Sequence, residues 1–66
     1  MMTIKHIGDN GREQTVSIVS VAYDPEQNVL IGMNPPSVEF STGYAYVMNE
    51  HGKTVGTYNL RKQQQP

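Results

Sequence analysis

Apolar and β-branched residues fall into five short runs along the chain, with turn-forming residues between them. Turn signals recurring every ~8–15 residues predict strands, not helices. The first run covers residues 3–7, and Gly8-Asp9-Asn10-Gly11 follows it. Asn and Gly accept the positive φ of tight hairpin turns, so a hairpin is expected there. The second run, residues 15–23, breaks its own alternation: Val16 and Ile18 share one face, while Val19, Val21 and Tyr23 share the other. Side chains alternate across a strand, so the adjacent pair Ile18 and Val19 marks a β-bulge or a strand buried on both faces.

Asp24-Pro25 has the residues of a type I turn, because proline presets φ at its second position. A third run covers 29–33, and Asn34-Pro35-Pro36-Ser37 ends it. Two consecutive prolines donate no backbone N–H and stiffen the loop. Residues 38–49 read as one long strand interrupted at Gly43, or as two short ones. Within them Tyr44, Tyr46 and Met48 alternate with Ala45 and Val47, one face bulky and the other small. Asn49-Glu50-His51-Gly52 resembles a type I turn closed by a left-handed glycine, and residues 54–60 complete that hairpin. Glycine, proline and β-branched residues interrupt every window long enough for a helix. The expected fold is all-β: a small, curled antiparallel meander of four to five strands. Residues 1–60 form a single domain, and 61–66 form a polar, frayed tail.

A chain of 66 residues changes this picture in one respect. It buries only roughly 60% of the surface its unfolded form exposes, and its large aliphatic residues are few. There is no cysteine to staple it, and His6 and His51 are too few for a structural zinc. Self-association is therefore the expected source of extra burial. The missing cysteines, and an N-terminal stretch without the apolar run of a signal peptide, point to the cytoplasm. No apolar run approaches the ~18 residues of a membrane span. A net charge of −1 argues against a nucleic-acid partner, whose phosphates call for a basic excess.

No catalytic constellation stands out. The serines lack the strand–turn–helix context of a hydrolase nucleophile, and neither histidine has a nucleophile and an orienting partner in sequence reach. The expectation is a non-enzymatic protein without cofactor or metal. Two features carry more information. Tyr44 and Tyr46, with Tyr58 in the following strand, are either a cross-strand aromatic cluster that stabilises the sheet or a face that stacks a ligand or partner. If strands alternate up and down, with residues 38–49 as one strand, the turn at 9–11, the loop at 34–37 and the C-terminus also share one end. Arg12, Arg61 and Lys62 would gather there, with Asp24, Glu26, Glu50 and His51 at the other. The candidate ligand-binding residues are therefore Arg12, Asn34, Pro35 and Arg61, with Tyr44 or Tyr46 of a neighbouring subunit as a stacking surface. The bland alternative is a set of ordinary solvated turn charges.

Residues 43–60, which read Gly-Tyr-Ala-Tyr-Val-Met-Asn-Glu-His-Gly-Lys-Thr-Val-Gly-Thr-Tyr-Asn-Leu, resemble the C-terminal hairpin of short bacteriophage- and prophage-encoded accessory proteins. That resemblance implies an accessory role: disabling a host factor, sequestering a defence signal, or serving in the virion. It carries no functional residue with it. Two functions are expected from different classes. One is a homo-oligomer that holds a small anionic, nucleotide-like ligand. The other is an interaction module that docks on a host or virion protein through an exposed strand edge.

Overall fold

The computed structural model describes residues 1–34 and 36–61, so Pro35 and the tail from Lys62 onward lie outside the described residues. The described chain is all-β, with seven strands and no helix: β1 (Met2–Ile7), β2 (Glu13–Ile18), β3 (Ser20–Asp24), β4 (Val29–Met33), β5 (Val38–Phe40), β6 (Tyr44–Met48) and β7 (Thr54–Asn59). Accordingly, no helix among the described residues is long and apolar enough to cross a membrane. Every pairing is antiparallel. The first sheet has the order β2-β1-β6-β7 and the second β3-β4-β5.

The five runs become seven strands because the two longest each fold over a corner. β2 leaves the first sheet at Val19 and continues as β3 in the second. β5 leaves the second sheet through residues 41–43 and continues as β6 in the first. Those two corners join the sheets into a closed ring of chain connections and hydrogen-bonded pairs. The phase break at Ile18 and Val19 belongs to the first corner. Ile18 is buried, whereas Val19 turns outward with 64% exposure and donates its N–H to the Met33 carbonyl at 2.7 Å. Beyond it Val21 pairs with Gly32 and Tyr23 with Leu30. Val21 and Tyr23 therefore face inward on the second sheet, as Val16 and Ile18 do on the first. One strand thus serves two sheets, through a one-residue change of phase.

The core lies between the sheets and consists of Ile4, Ile18, Leu30, Phe40, Ala45, Val47 and Leu60. Burying each large aliphatic or aromatic side chain among them contributes about 1.5–3 kcal/mol. The small face of β6, Ala45 and Val47, is the buried one, and Tyr44, Tyr46 and Met48 point outward. Gly32 sets the separation of the layers, since a Cβ there would stand 2.9 Å from both Ile4 and Ile18 side chains. Tyr58 pairs with Ala45 and so faces inward, away from Tyr44 and Tyr46. Its neighbour is Tyr23 of the second sheet, at a centroid distance of 5.0 Å, and the expected three-tyrosine face contracts to two.

The turns at 8–12 and 49–53 share one construction. In each the first N–H bonds the fifth carbonyl, and a glycine with positive φ, Gly11 or Gly52, donates to the first carbonyl. Gly43 obeys a harder constraint. Its φ is +69°, and a Cβ would fall 1.9 Å from the Ile7 carbonyl oxygen. Its N–H donates to Asp9 Oδ1 at 3.1 Å, and its carbonyl accepts from Leu60 N–H at 2.8 Å. Gly43→Ala is expected to leave the chain unfolded at room temperature, because backbone cannot yield that space and a core this small contributes only ~3–5 kcal/mol. Gly11→Ala, whose Cβ would meet nothing within 4 Å, should cost about 1–2 kcal/mol of left-handed strain and stay folded. Circular dichroism and thermal melting of the pair check this. A Gly43→Ala protein that melts like its parent would contradict it.

Candidate ligand site at the hairpin end

The turn at 8–12 is tight and glycine-rich, so it carries little side-chain bulk of its own. Asn10 Oδ1 accepts from the Arg12 N–H at 3.0 Å and fixes the turn from within. Shallow hollows lie on its two flanks. One, of about 380 Å³, is lined by Ile7, Gly8, Asp9, Gly11, Gly43, Tyr44 and Arg61. The other, also about 380 Å³, is lined by Gly8, Asp9 and Asn10 together with His6, Arg12, Gln14 and Thr42.

Strand register brings Tyr44 and Arg61 to the first hollow. Tyr44 pairs with Ile7 on one side and Asn59 on the other, so β7 returns the chain to where β6 began. Asn59 Oδ1 accepts from the Arg61 N–H at 3.1 Å and steers the last described residue towards the tyrosine. The Arg61 guanidinium then lies 5.8 Å from the Tyr44 ring centroid, with Nη1 donating to the hydroxyl at 3.3 Å. A cation over an aromatic face is attracted by the ring quadrupole. The tyrosine hydroxyl, more than the charge of Asp9, holds the Arg61 guanidinium above its ordinary value, so it is a permanent cation.

Asp9 stands between the hollows. One of its oxygens is engaged by the Gly43 N–H, so its carboxylate is a fixed part of the wall. His6 is 9% exposed; its Nε2 donates to the Thr42 carbonyl at 2.7 Å, and its ring lies 4.4 Å from that of Phe40.

The candidate residues from the sequence divide as follows. Arg12, Arg61 and Tyr44 meet around one turn, with Tyr44 and Arg61 in the same chain. Tyr46 lies two register rows away, opposite Lys5 and Thr57, on the outward face of the sheet. Asn34 is at the other end. Its Nδ2 donates to the Ser17 carbonyl at 2.9 Å, and Ser17 pairs with Thr3, which pairs with Met48. Pro35 lies outside the described residues.

The expected polar axis dissolves for the same reason. β3, β4 and β5 belong to a second sheet, so their turns do not alternate with those of the first. The turn at 24–28 comes to the Arg61 side, where Asn28 Nδ2 donates to the Asn59 carbonyl at 3.3 Å. Glu50 stays at the far end, 3.6 Å from the N-terminal ammonium. A histidine within a strand is most often a surface or cross-strand residue, but His6 is buried. Its burial beside Phe40 depends on the second corner, which no local pattern announces.

Comparison with known proteins found no matching family model, no matching curated protein and no matching solved structure. The class that the structure defines is a small all-β domain of two antiparallel sheets, with two shallow hollows flanking one hairpin turn.

Lys5 lies on the outward face beside the site, and its ammonium is 2.9 Å from Glu13 Oε1. The hydrogen bond to Glu13, then its charge, raise the Lys5 pKa above the ordinary 10.5. A raised cation pKa supports folding below the unfolded value and loses that support as pH rises through the folded one. Lys5→Gln should therefore melt below the parent at neutral pH, with the gap closing above pH 10.5. Both groups are solvent-exposed, so the gap should be small and should shrink in high salt. Paired thermal melts across pH read it directly, and a gap that widens in alkali would refute the assignment.

Proposed function

We propose that the chain is a non-enzymatic binding protein that holds a small anionic, nucleotide-like ligand at the turn at 8–12, working as a homo-oligomer. One observation carries this reading: Arg61 is held over Tyr44 in a hollow whose opposite wall is a glycine-rich turn. A planar guanidinium can hold a phosphate through two parallel hydrogen bonds. Gly11, whose Cβ would meet nothing within 4 Å, leaves the turn backbone open to a close-lying group. Arg12 stands on the other flank of the same turn as a second cation. Both arginines extend from ordered backbone, so little loop entropy is lost on binding. An accessory role in a bacteriophage, as the hairpin resemblance implies, is compatible with sequestering such a ligand.

Thermal-shift measurements with nucleoside mono- and diphosphates test the reading. Ligand at 100 times its dissociation constant should add about 2.7 kcal/mol of stability. Arg61→Ala and Arg12→Ala should each remove most of that shift while leaving the ligand-free melting temperature within a few degrees of the parent. An unchanged shift in both variants would eliminate the site.

Self-association is supported by β4, which is apolar on both faces. Leu30 and Gly32 face the core, while Val29, Ile31 and Met33 face outward beside the exposed Val19. The outward row Tyr44, Tyr46 and Met48 is a second half-buried surface. Light scattering at micromolar concentration is expected to give a multiple of 7.4 kDa. A monomer mass would refute the oligomer.

A second reading is favoured by β7. It is an edge strand of the first sheet, carries no charged residue, and exposes Val55 by 57%. Edges of that kind accept an added strand from a partner. Under this reading the protein docks on a host or virion protein.

A further inference from the structure

His6 is the one buried ionisable side chain of the core region, and only half of its hydrogen-bonding capacity is used within the described residues. The Thr42 carbonyl can only accept, so Nε2 carries the proton of the neutral ring. Nδ1 is then a lone-pair acceptor, and no described residue bonds to it. Among the described residues no buried side-chain nitrogen or oxygen lacks a partner, so Nδ1 is reached from outside. The opening is the second hollow, which His6 lines with Arg12, Gln14 and the turn. The ring edge faces Gly8, whose built Cβ would lie 3.8 Å from His6 Cε1. Phe40 at 4.4 Å and the Thr42 bond fix the ring, so the acceptor cannot rotate away.

We propose that this second hollow is a base-edge subsite, in which His6 Nδ1 accepts the ring N–H of a planar heterocycle while Arg12 and Gln14 bond its neighbouring carbonyl. The proposal rests on the nucleotide-like ligand proposed above and assigns its base. A fixed acceptor selects a ring that donates. Guanine donates at N1 and uracil at N3, whereas adenine N1 and cytosine N3 carry lone pairs that would face the His6 lone pair. His6 is only 9% exposed, so an acceptor that meets a lone pair in place of a donor loses a bond that little water can replace. The anionic group then goes to Arg61 on the other flank, and the two hollows share Gly8 and Asp9.

The test uses the full chain at pH 8 with four ribonucleoside monophosphates, 1-methylguanosine monophosphate and inorganic phosphate. Calorimetry gives affinities, and nitrogen-15 resonances of the imidazole report its tautomer. The free protein should show the ring protonated at Nε2. The guanine and uracil nucleotides should bind roughly tenfold or more tightly than the adenine and cytosine ones, and should move the Nδ1 resonance. Methylation of guanine N1 should abolish that advantage. His6→Gln keeps a donor for Thr42 and has no acceptor at the Nδ1 position, so a folded variant should lose the preference among the bases. Should it not fold, the methylated ligand and the tautomer still decide. Equal affinities for the four bases, or an Nδ1-protonated ring, would overturn the subsite. In that case phosphate-dependent shifts at Arg61 and Tyr44 would show that the anion site stands without it. Absence of any binding would overturn both.

Discussion

The chain crosses itself at Gly43, where the backbone leaves the second sheet and enters the first. A Cβ there would lie 1.9 Å from the Ile7 carbonyl, so only glycine allows the crossing. Three elements are tied at this point. The Asp9 side chain takes the Gly43 N–H, and the Leu60 N–H takes its carbonyl. β1, β6 and the end of β7 are thereby held in register beside the turn at 8–12. The ring between the sheets closes here, and Gly43 itself lines the first hollow.

A thin core can tolerate this design because the sheets lie close. Gly32 lets Ile4 and Ile18 pack against backbone, so few large side chains fill the space. The same closeness makes the core sensitive to volume, since close-packed interiors register the addition of a single carbon. It also leaves β4 with apolar residues to spare on its outer face. That outer row of Val29, Ile31 and Met33 is the surface that the proposed oligomer would cover.

Much of the fold was legible in the residues, and the reasons are local. Turn chemistry at Gly11 and Gly52 requires positive φ, and the glycines stand where the turns need them. The doubled apolar pair at Ile18 and Val19 announced a change of phase. Its meaning as a corner was not legible, because alternation shows which side a residue takes and not which sheet it joins. That gap explains the misplaced ends. Asn34 and the turn at 24–28 were assigned by counting strands up and down, a rule that fails once the chain passes between sheets. Arg12 and Arg61 flank one turn because two local hairpins, β1 to β2 and β6 to β7, are joined by the β1–β6 pairing, and Tyr44 stands there in the same chain where a neighbouring subunit's was expected. His6 was missed because its burial depends on Phe40 and Thr42, which reach it only through the second corner.

The electrostatics of the hairpin end follow from the same crossing. Arg12 and Arg61 lie on its two flanks, and Asp9 lies between them. In the walls of the two hollows two cations, Arg12 and Arg61, stand against one carboxylate, although the whole chain carries −1. Asp9 cannot swing away to pair with either arginine without releasing Gly43, so its negative charge is part of the frame. An anion entering either hollow meets a cation that Asp9 only partly offsets. A long polyanion finds no continuous basic track, and charges beyond ~10 Å are screened. For the proposed ligand the arrangement suits one compact anionic group, and the carboxylate between the two arginines also holds the Gly43 N–H in place.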